Sequence, residues 1–262
     1  GELKEVSTLD NTIVKMEIAP EANRTAPTSA LVPEPEILIV TDQPSSPTKP
    51  QISNLRQESM ISLHKQAQLG RSDAMVELGR RLSNTPGGSQ ITACKWFRKA
   101  AEKGDPLGQF FLGRAYLLGR GVTADANAAH ERFQKAHETG SLEATDALAT
   151  CFASGIGCDS NMKRAQELYQ QSIELGSTAS LSKLAVIYLA SGSQGDIAKA
   201  LELLKRGVEA GEADAMVYFA QCCEYGYVES AGAEEAKQWY LRAAEAGHPD
   251  ALAWLEEGGV GL

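Results

Sequence analysis

A short phrase that ends in glycine recurs along most of this chain at a nearly constant interval. It reads RKAAEKG where it ends at Gly104 and RAAEAG where it ends at Gly247. With the weaker copies included, the closing glycines are 34, 36, 36, 35 and 36 residues apart, and they are Gly70, Gly104, Gly140, Gly176, Gly211 and Gly247. A near-constant period of this length predicts a solenoid whose units are pairs of helices.

Within the period, residue size repeats as regularly as the glycine does. In the five full units, the fourth residue after each glycine is small, the eighth is large and apolar, and the ninth is small again. These positions lie on one face of a helix, where small residues let two helix backbones approach and the large one fills the groove between them. A second helix in each unit repeats an alanine and then a bulky residue four positions later. The repeat region is therefore predicted to be all-α, with each closing glycine as a left-handed helix cap.

Composition divides the chain into two parts. Residues 1–52 hold seven of the ten prolines and none of the sixteen aromatic residues. Without aromatic side chains, burial is not expected to outweigh the entropy of ordering the chain. We therefore expect an extended or disordered tail over 1–52, helices over 53–257 and a frayed end over 258–262. Within the tail, four apolar residues form a candidate anchor that docks on a protein surface, and they are Ile37, Leu38, Ile39 and Val40.

The charge balance excludes one class of partner. The formal net charge is -9, and lysine and arginine form no cluster or stripe along the chain. Because nucleic-acid binding depends on clustered basic residues, we expect no DNA or RNA partner. No apolar stretch approaches the ~18 residues that a membrane span needs, so no direct membrane span is expected. The chain begins with glycine and shows no signal peptide, which suggests either a processed form or an excised piece of a longer chain.

The repeated pattern resembles a known family. It combines A-x3-L-G-x2-Y-x2-G-x-G-V-x2-D, clearest from Gly108 to Asp125, with A-x2-W-x2-K-A-A-E-x-G, clearest from Ala236 to Gly247. This is similar to the Sel1-like repeat, which is related to the tetratricopeptide repeat. The resemblance implies an all-α, right-handed α/α solenoid with capping helices. Its units are 71–104, 105–140, 141–176, 177–211 and 212–247, followed by a half unit at 248–257.

The resemblance also implies a function. Proteins of this family are typically non-catalytic scaffolds or adaptors that bind a peptide or protein on the concave surface formed by the first helices of the units. No cofactor is implied. Many bacterial members work in the periplasm or outside the cell, in envelope, secretion, motility or signalling assemblies, although a cytoplasmic location stays open. An alternative is a module regulated by its tail, in which the N-terminal segment docks in its own groove or that of a neighbouring copy and so permits self-association.

Transferring the family geometry to this chain identifies candidate binding residues. The third, sixth, tenth and thirteenth residues after each closing glycine should face the groove. Apolar groups beside arginines on such a surface would suit peptide capture, whereas strong curvature of the solenoid would bury the same side chains. The candidates are Val76, Arg80, Leu107, Phe110, Arg114, Leu117, Thr150, Val186, Leu189, Val217 and Gln221.

Cysteine and histidine give little sign of chemistry. The five cysteines and four histidines match no metal-ligand spacing, and no nucleophile or phosphate-binding motif is present. Neither a metal site nor a catalytic residue is therefore predicted. A thiol-dependent hydrolase that uses Cys151, Cys222 or Cys223 is the enzymatic alternative. Cys151 and Cys222 occupy the same repeat position, which favours a buried apolar role. A disulfide between Cys151 and Cys158 stays open.

Overall fold

The computed structural model describes residue 55 and the ranges 58–228 and 231–256. The tail 1–52 with its anchor at 37–40, and the end at 258–262, lie outside the described residues. Within the described ranges the chain forms helices and turns without any strand. The twelve helices there are α1 (Met60–Gln68), α2 (Ser72–Asn84), α3 (Gln90–Glu102), α4 (Pro106–Leu118), α5 (Ala126–Glu138), α6 (Leu142–Ser154), α7 (Met162–Glu174), α8 (Ala179–Ser191), α9 (Gln194–Glu209), α10 (Ala213–Glu224), α11 (Ala233–Glu245) and α12 (Pro249–Glu256).

Each helix packs on the helices that precede and follow it, which makes an α/α solenoid. The strongest contacts join α2 to α3, α4 to α5 and the corresponding pairs after them, so each unit is a hairpin. Helices α1 and α12 cover the two ends of this stack. First helices also contact one another, as α2 contacts α4 and α8 contacts α10. The predicted all-α solenoid is confirmed.

Small residues in the first helix make room for bulky residues of the second. A Cβ atom added at Gly79 would lie 2.4 Å from Cε1 of Phe97, and one at Gly113 would lie 2.7 Å from Cε1 of Phe133. Both rings are buried. The repeat of small residues at the ninth position is therefore the space that the second helix needs to close the hairpin.

In the last helix, α12, the large buried residue lies one position earlier than the repeat pattern predicts. Leu255 occupies the position that is large and buried in the five units before it, yet 39% of its surface is exposed. Trp254 is buried in its place, because its ring stacks on that of Tyr240 with 4.8 Å between the ring centroids. Leu255 therefore does not fill the groove between helices as its counterparts in the five full units do.

The closing glycines adopt the conformation that the sequence predicts. All six have positive φ angles, between 77° at Gly104 and 100° at Gly176. Side chains with a Cβ atom rarely adopt this region. Each glycine therefore ends a second helix and turns the chain into the next unit.

A second set of glycines connects neighbouring units through backbone contact. Gly121 and Gly157 have φ angles of 76° and 68° and lie in the loops after α4 and α6. A Cβ atom at Gly121 would lie 2.2 Å from the carbonyl oxygen of Gln90, and one at Gly157 would lie 2.1 Å from that of Ala126. Each of these loops therefore rests on the start of the second helix in the preceding unit.

Of the twelve helices in the described ranges, seven begin at a side chain that caps its own first turn. In each of them the side-chain oxygen accepts a hydrogen bond from the backbone N–H three residues later, which satisfies an amide that the helix leaves unpaired. The capping residues are Ser59, Ser89, Asp105, Asp125, Ser141, Asn161 and Ser193.

Candidate functional site on the first helices

The eleven candidate binding residues all lie on the first helices α2, α4, α6, α8 and α10. Six are buried, and they are Val76, Phe110, Arg114, Thr150, Leu189 and Val217. The other five are half-buried, and they are Arg80, Leu107, Leu117, Val186 and Gln221. The part of this surface that a partner could reach is therefore smaller than the sequence suggests.

Four of the seven apolar candidates are buried rather than facing the groove, and Phe110 and Leu189 are two of them. Phe110 and Leu189 are expected to face solvent, but they are only 3% and 1% exposed. The ring of Phe110 packs 5.2 Å from that of Phe111 and 5.9 Å from that of Phe133, centroid to centroid. The expectation of solvent exposure is wrong for both residues, because both side chains belong to the buried core.

Three arginines surround a cleft between the first and second units, which we call the arginine cleft. Arg80, Arg114 and Arg120 line it together with Phe97 and Phe111. Its cavity volume is only about 30 Å³, and it opens to solvent. None of the described residues that line it is acidic, although Glu77 pairs with Arg80 from outside the lining. The cleft thus combines three arginines with two aromatic rings.

Aromatic rings position two of these arginines. The guanidinium of Arg114 lies 5.8 Å from the ring centroids of both Phe110 and Phe111. That of Arg80 lies 5.9 Å from Phe111 and donates to Glu77 at 2.8 Å. Contact between a guanidinium and an aromatic face favours the cation and restricts its side chain. Both guanidinium groups are thus held in place by neighbouring side chains, and Arg80 already has a carboxylate partner in Glu77.

Sequence analysis identifies Arg80 and Arg114 but misses Arg120. Arg120 lies between two glycines, in the loop that connects the two helices of its unit. Its relation to the cleft depends on how the first unit stacks on the second. The sequence does contain a signal for Arg120. Arg80 and Arg114 occupy the same position in consecutive units, and a third arginine follows just beyond the helix of Arg114.

A second group of charged residues lies on the first helices of later units. Lys183 Nζ contacts Asp146 Oδ2 at 2.5 Å, and Asp146 also accepts a hydrogen bond from Ser180 Oγ at 2.7 Å. Burial disfavours the charge on Lys183, but Asp146 outweighs it and the pKa of Lys183 is raised. This ion pair therefore connects α6 with α8 in its charged form.

The pKa values of two carboxyl groups beside this pair are shifted in opposite directions. Burial raises the pKa of Glu212 to about 7, although Ser182 Oγ donates to its Oε1 atom at 2.7 Å. Asp214 lies 3.3 Å from Nε2 of His248, and this hydrogen bond lowers its pKa. Burial therefore sets the direction of the pKa shift at Glu212, whereas the hydrogen bond from His248 sets it at Asp214. We call Asp146, Lys183, Glu212, Asp214 and His248 the acidic cluster.

The cysteines have no features of a nucleophile. Burial raises the pKa of Cys151 and of Cys223 to about 12, and it raises that of Cys222 as well. A reactive thiol requires the opposite shift. Cys151 and Cys158 are both free thiols, and the Sγ atom of Cys158 lies 3.6 Å from the carbonyl oxygen of Cys151. Across the described ranges, no group of histidine, cysteine and acidic residues could hold a metal ion.

Alkylation of the native protein should label one thiol before the other four. Cys158 is half-buried, whereas the other cysteines are buried. Mass spectrometry after a short treatment with iodoacetamide should find the modification at Cys158, and denatured protein should carry five. The variant Cys158→Ser should lack the fast phase. Rapid labelling of Cys151, Cys222 or Cys223 would contradict this result and would favour the thiol enzyme.

None of the helices in the described ranges is both long enough and apolar enough to cross a membrane.

Comparison with known proteins identifies the repeat. The family model described as Sel1 repeat matches five consecutive segments, which together cover more than half of the chain, and they are 72–105, 106–138, 142–177, 178–212 and 213–248. Among curated proteins, no sequence matches this chain.

Three solved structures are similar over most of the chain. A Sel1 repeat protein from Oxalobacter formigenes shares 26% identity, with a TM-score of 0.67 over 77% of this chain and 85% of that protein. A Sel1 repeat protein from Klebsiella pneumoniae subsp. pneumoniae shares 21% identity, with a TM-score of 0.53 over 76% of this chain and 99% of that one. The protective antigen c5321 of uropathogenic Escherichia coli, which has an SLR fold, shares 27% identity at a TM-score of 0.38 over 73% of this chain and 50% of the antigen. With five repeats matched in sequence and the solenoid present in the structure, the chain belongs to the Sel1 repeat family.

Proposed function

We propose that the protein is a non-catalytic scaffold that binds a peptide or another protein across its first helices. Sel1 repeat proteins commonly serve as protein-interaction scaffolds. One observation carries the proposal for this chain. Partly accessible side chains of the same helical face recur on four of the five first helices, at Arg80, Leu107, Leu117, Val186 and Gln221. A partner that lies along the solenoid could contact several units at once.

The charges on this surface favour a particular orientation of the partner. The arginine cleft makes the first two units cationic, and the acidic cluster lies across the third to fifth units. Half-buried apolar side chains lie within both regions, with Leu117 in the second unit and Val186 in the fourth. An extended segment that carries apolar side chains and an acidic end would match this surface.

We further propose that the protein acts in a bacterial envelope, secretion, motility or signalling assembly, in the periplasm or outside the cell. The bacterial sources of the similar solved structures support this context. Fusion to a reporter that is active only after export would test it. A full-length gene product that stays in the cytoplasm would contradict it.

Substitution of accessible residues on the first helices should reduce partner binding. We expect Leu117→Asp and Val186→Asp to lower recovery of the partner in a quantitative pull-down by roughly fivefold or more, because each adds a carboxylate to an apolar contact. The control is Leu175→Asp. Leu175 is 49% exposed and lies in the turn between α7 and α8, away from this surface.

Circular dichroism should first show that all three variants keep the helical content of the unchanged protein. Phe110→Asp and Leu189→Asp are unsuitable here, because each would bury a carboxylate in the core. Equal recovery with all three variants would place the binding surface elsewhere on the molecule.

We infer a second candidate function, in which the protein is regulated by its own N-terminal tail. One contact favours it. The guanidinium of Arg81 donates to the carbonyl oxygens of Leu55 and Glu58, at 2.7 and 2.5 Å. This contact fixes the point at which the tail joins the solenoid, on the residue next to Arg80 of the arginine cleft.

A further inference from the structure

We propose that the outer surface of α1 and α3 docks on an anionic membrane, with aliphatic side chains in the lipid interface and lysine and arginine on the headgroup phosphates. We call this surface the basic outer patch. It goes beyond the proposed function, because it lies on second helices and that function concerns the first helices. The protein would then hold its partner with one face while the other rests on a membrane.

The two helices are neighbours on the outer side of the solenoid. Each precedes a closing glycine, Gly70 or Gly104, so both occupy the place of a second helix. The ring of His64 on α1 meets that of Trp96 on α3, with 5.5 Å between the centroids. A Cβ atom added at Gly70 would lie 3.4 Å from Nζ of Lys103, so the ends of the two helices also meet. First helices contact one another along the inner side, which leaves second helices on the outer curve.

Basic side chains of both helices are exposed on this surface. Among the described residues, no carboxylate pairs with any of them, and they are Lys65, Lys95, Arg98, Lys99 and Lys103. Glu102 is the one exposed acidic residue of the two helices. Residues 58–104 include eight basic and four acidic residues, a net charge of +4, although the whole chain carries -9. Stacking therefore gathers positive charge at one end of an acidic protein.

Aliphatic side chains are exposed beside these charges. Ile61 is 84% exposed, Leu69 is 76% exposed and Ile91 is 59% exposed. Ile61, Lys65 and Leu69 are four residues apart, so they follow one side of α1. In the five later second helices the position of Ile61 is polar or charged, and its residues are Lys95, Glu131, Glu167, Glu202 and Gln238. The fold therefore does not require isoleucine there, and an exposed apolar group of this kind marks a contact with another surface.

The combination of aliphatic and basic side chains favours lipid over nucleic acid. A helix that lies on a membrane buries aliphatic side chains at the acyl boundary, while lysine and arginine contact anionic headgroups. Long basic side chains also reach outward past the aliphatic groups. Nucleic acid would use the same cations for its phosphates, but it would gain little from Ile61 and Leu69. The outer curve of a solenoid also turns away from an extended peptide, whereas a fluid lipid surface adapts to it.

Sedimentation of the full chain with lipid vesicles tests the proposal. We expect binding to vesicles of phosphatidylcholine that contain about 30% phosphatidylglycerol, and roughly tenfold weaker binding to phosphatidylcholine alone. Raising sodium chloride from about 0.05 M to about 0.5 M should weaken the binding, because salt screens the attraction between the patch and the headgroups.

Two substitutions separate the apolar and the electrostatic contributions. Ile61→Ser removes an aliphatic group from the lipid interface, and Arg98→Glu replaces attraction by repulsion. Each should lower the partition coefficient on anionic vesicles by roughly tenfold. The matched controls are Met162→Ser and Lys237→Glu, because both residues are exposed on second helices of later units, α7 and α11. Circular dichroism should show that all four variants keep the helical content of the unchanged protein.

Acetylation of lysine in the presence of vesicles reports which surface touches the lipid. Anionic vesicles should protect Lys65, Lys95 and Lys99 from modification, whereas Lys237 should react as fast as it does without lipid. Uniform protection of all lysines would contradict a contact that is confined to the patch.

Several outcomes would overturn the proposal. It is wrong if the protein stays in the supernatant with anionic vesicles at low salt, or if the control variants lose as much binding as Ile61→Ser and Arg98→Glu. Loss in Arg98→Glu with unchanged binding in Ile61→Ser would also overturn it, because the patch would then attract any polyanion. Equally tight binding to a DNA oligonucleotide would lead to the same conclusion.

The measurements also separate this proposal from the proposed function. Leu117→Asp should leave vesicle binding unchanged, and Ile61→Ser should leave recovery of the partner unchanged. Vesicle binding that fails while the pull-down succeeds would reject the membrane contact and keep the scaffold. The reverse result would keep the membrane contact and reject the assigned scaffold surface.

Discussion

Gly121→Ala should destabilise the protein by about 3 kcal/mol or more, because two costs add. The φ angle of 76° strains any residue with a Cβ atom, and the new Cβ would lie 2.2 Å from the carbonyl oxygen of Gln90. The obstacle is backbone at the start of α3, so it cannot rotate away as a side chain would. Chemical denaturation followed by circular dichroism should show a lower midpoint.

A comparison with Gly140→Ala separates the cost of backbone strain from the cost of steric overlap. Gly140 has a similar φ of 81°, but a Cβ atom there would meet nothing within 4 Å. We expect a loss of only about 1 kcal/mol from this control. Hydrogen exchange in Gly121→Ala should increase first in α3 and α4, where the loop rests. Similar losses in both variants would mean that the contact between units contributes little.

Glu212→Gln should stabilise the protein at alkaline pH and leave it unchanged at acid pH. In an unfolded chain this carboxyl group loses its proton near its ordinary pKa of 4.5, but in the folded protein burial raises the pKa to about 7. Below pH 4.5 the group is protonated in both states. As the pH rises from 4.5 to 7, the unfolded state ionises first and the stability of the folded state decreases.

The size of this effect follows from the difference between the two pKa values. A difference of about 2.5 units corresponds to about 3 kcal/mol above pH 7. Glutamine keeps the shape of the side chain and an acceptor for Ser182 but does not ionise. The denaturation free energy of Glu212→Gln should therefore exceed that of the unchanged protein by up to this amount at pH 8 and by almost nothing at pH 4.

The matched control is Glu209→Gln, because Glu209 is exposed at the end of α9. Its substitution should change stability by less than about 0.5 kcal/mol across the same range. A difference between Glu212→Gln and the unchanged protein that is the same at pH 4 and pH 8 would show that the side chain is solvated in the folded state.

The sequence predicts those parts of the fold that depend on local chemistry. A closing residue such as Gly176 must be glycine because its φ angle is positive. A residue such as Ala129 must be small because two helices approach each other closely there. Both requirements recur in every unit, so their periodicity is visible without a structure. The helix pairs and their order follow from the same signal.

The candidate site was only partly predictable. Whether Phe110 and Leu189 reach solvent depends on how tightly the helices pack. The spacing of the repeats along the sequence carries no information about the distance between packed helices. The acidic cluster joins Asp146, Lys183 and Glu212, which are about thirty residues apart in sequence and meet only when the units stack. Arg120 lies in a turn whose position relative to α2 is likewise set by stacking.

The side-chain caps have a consequence for how such a chain can change in length. Each of the seven caps binds an amide only three residues away, so no cap extends from one unit into the next. A gene duplication or deletion of the second or third unit would carry both of its helix starts together with their own caps. Evolution could therefore add or remove such a unit of about 36 residues without separating a helix start from its cap.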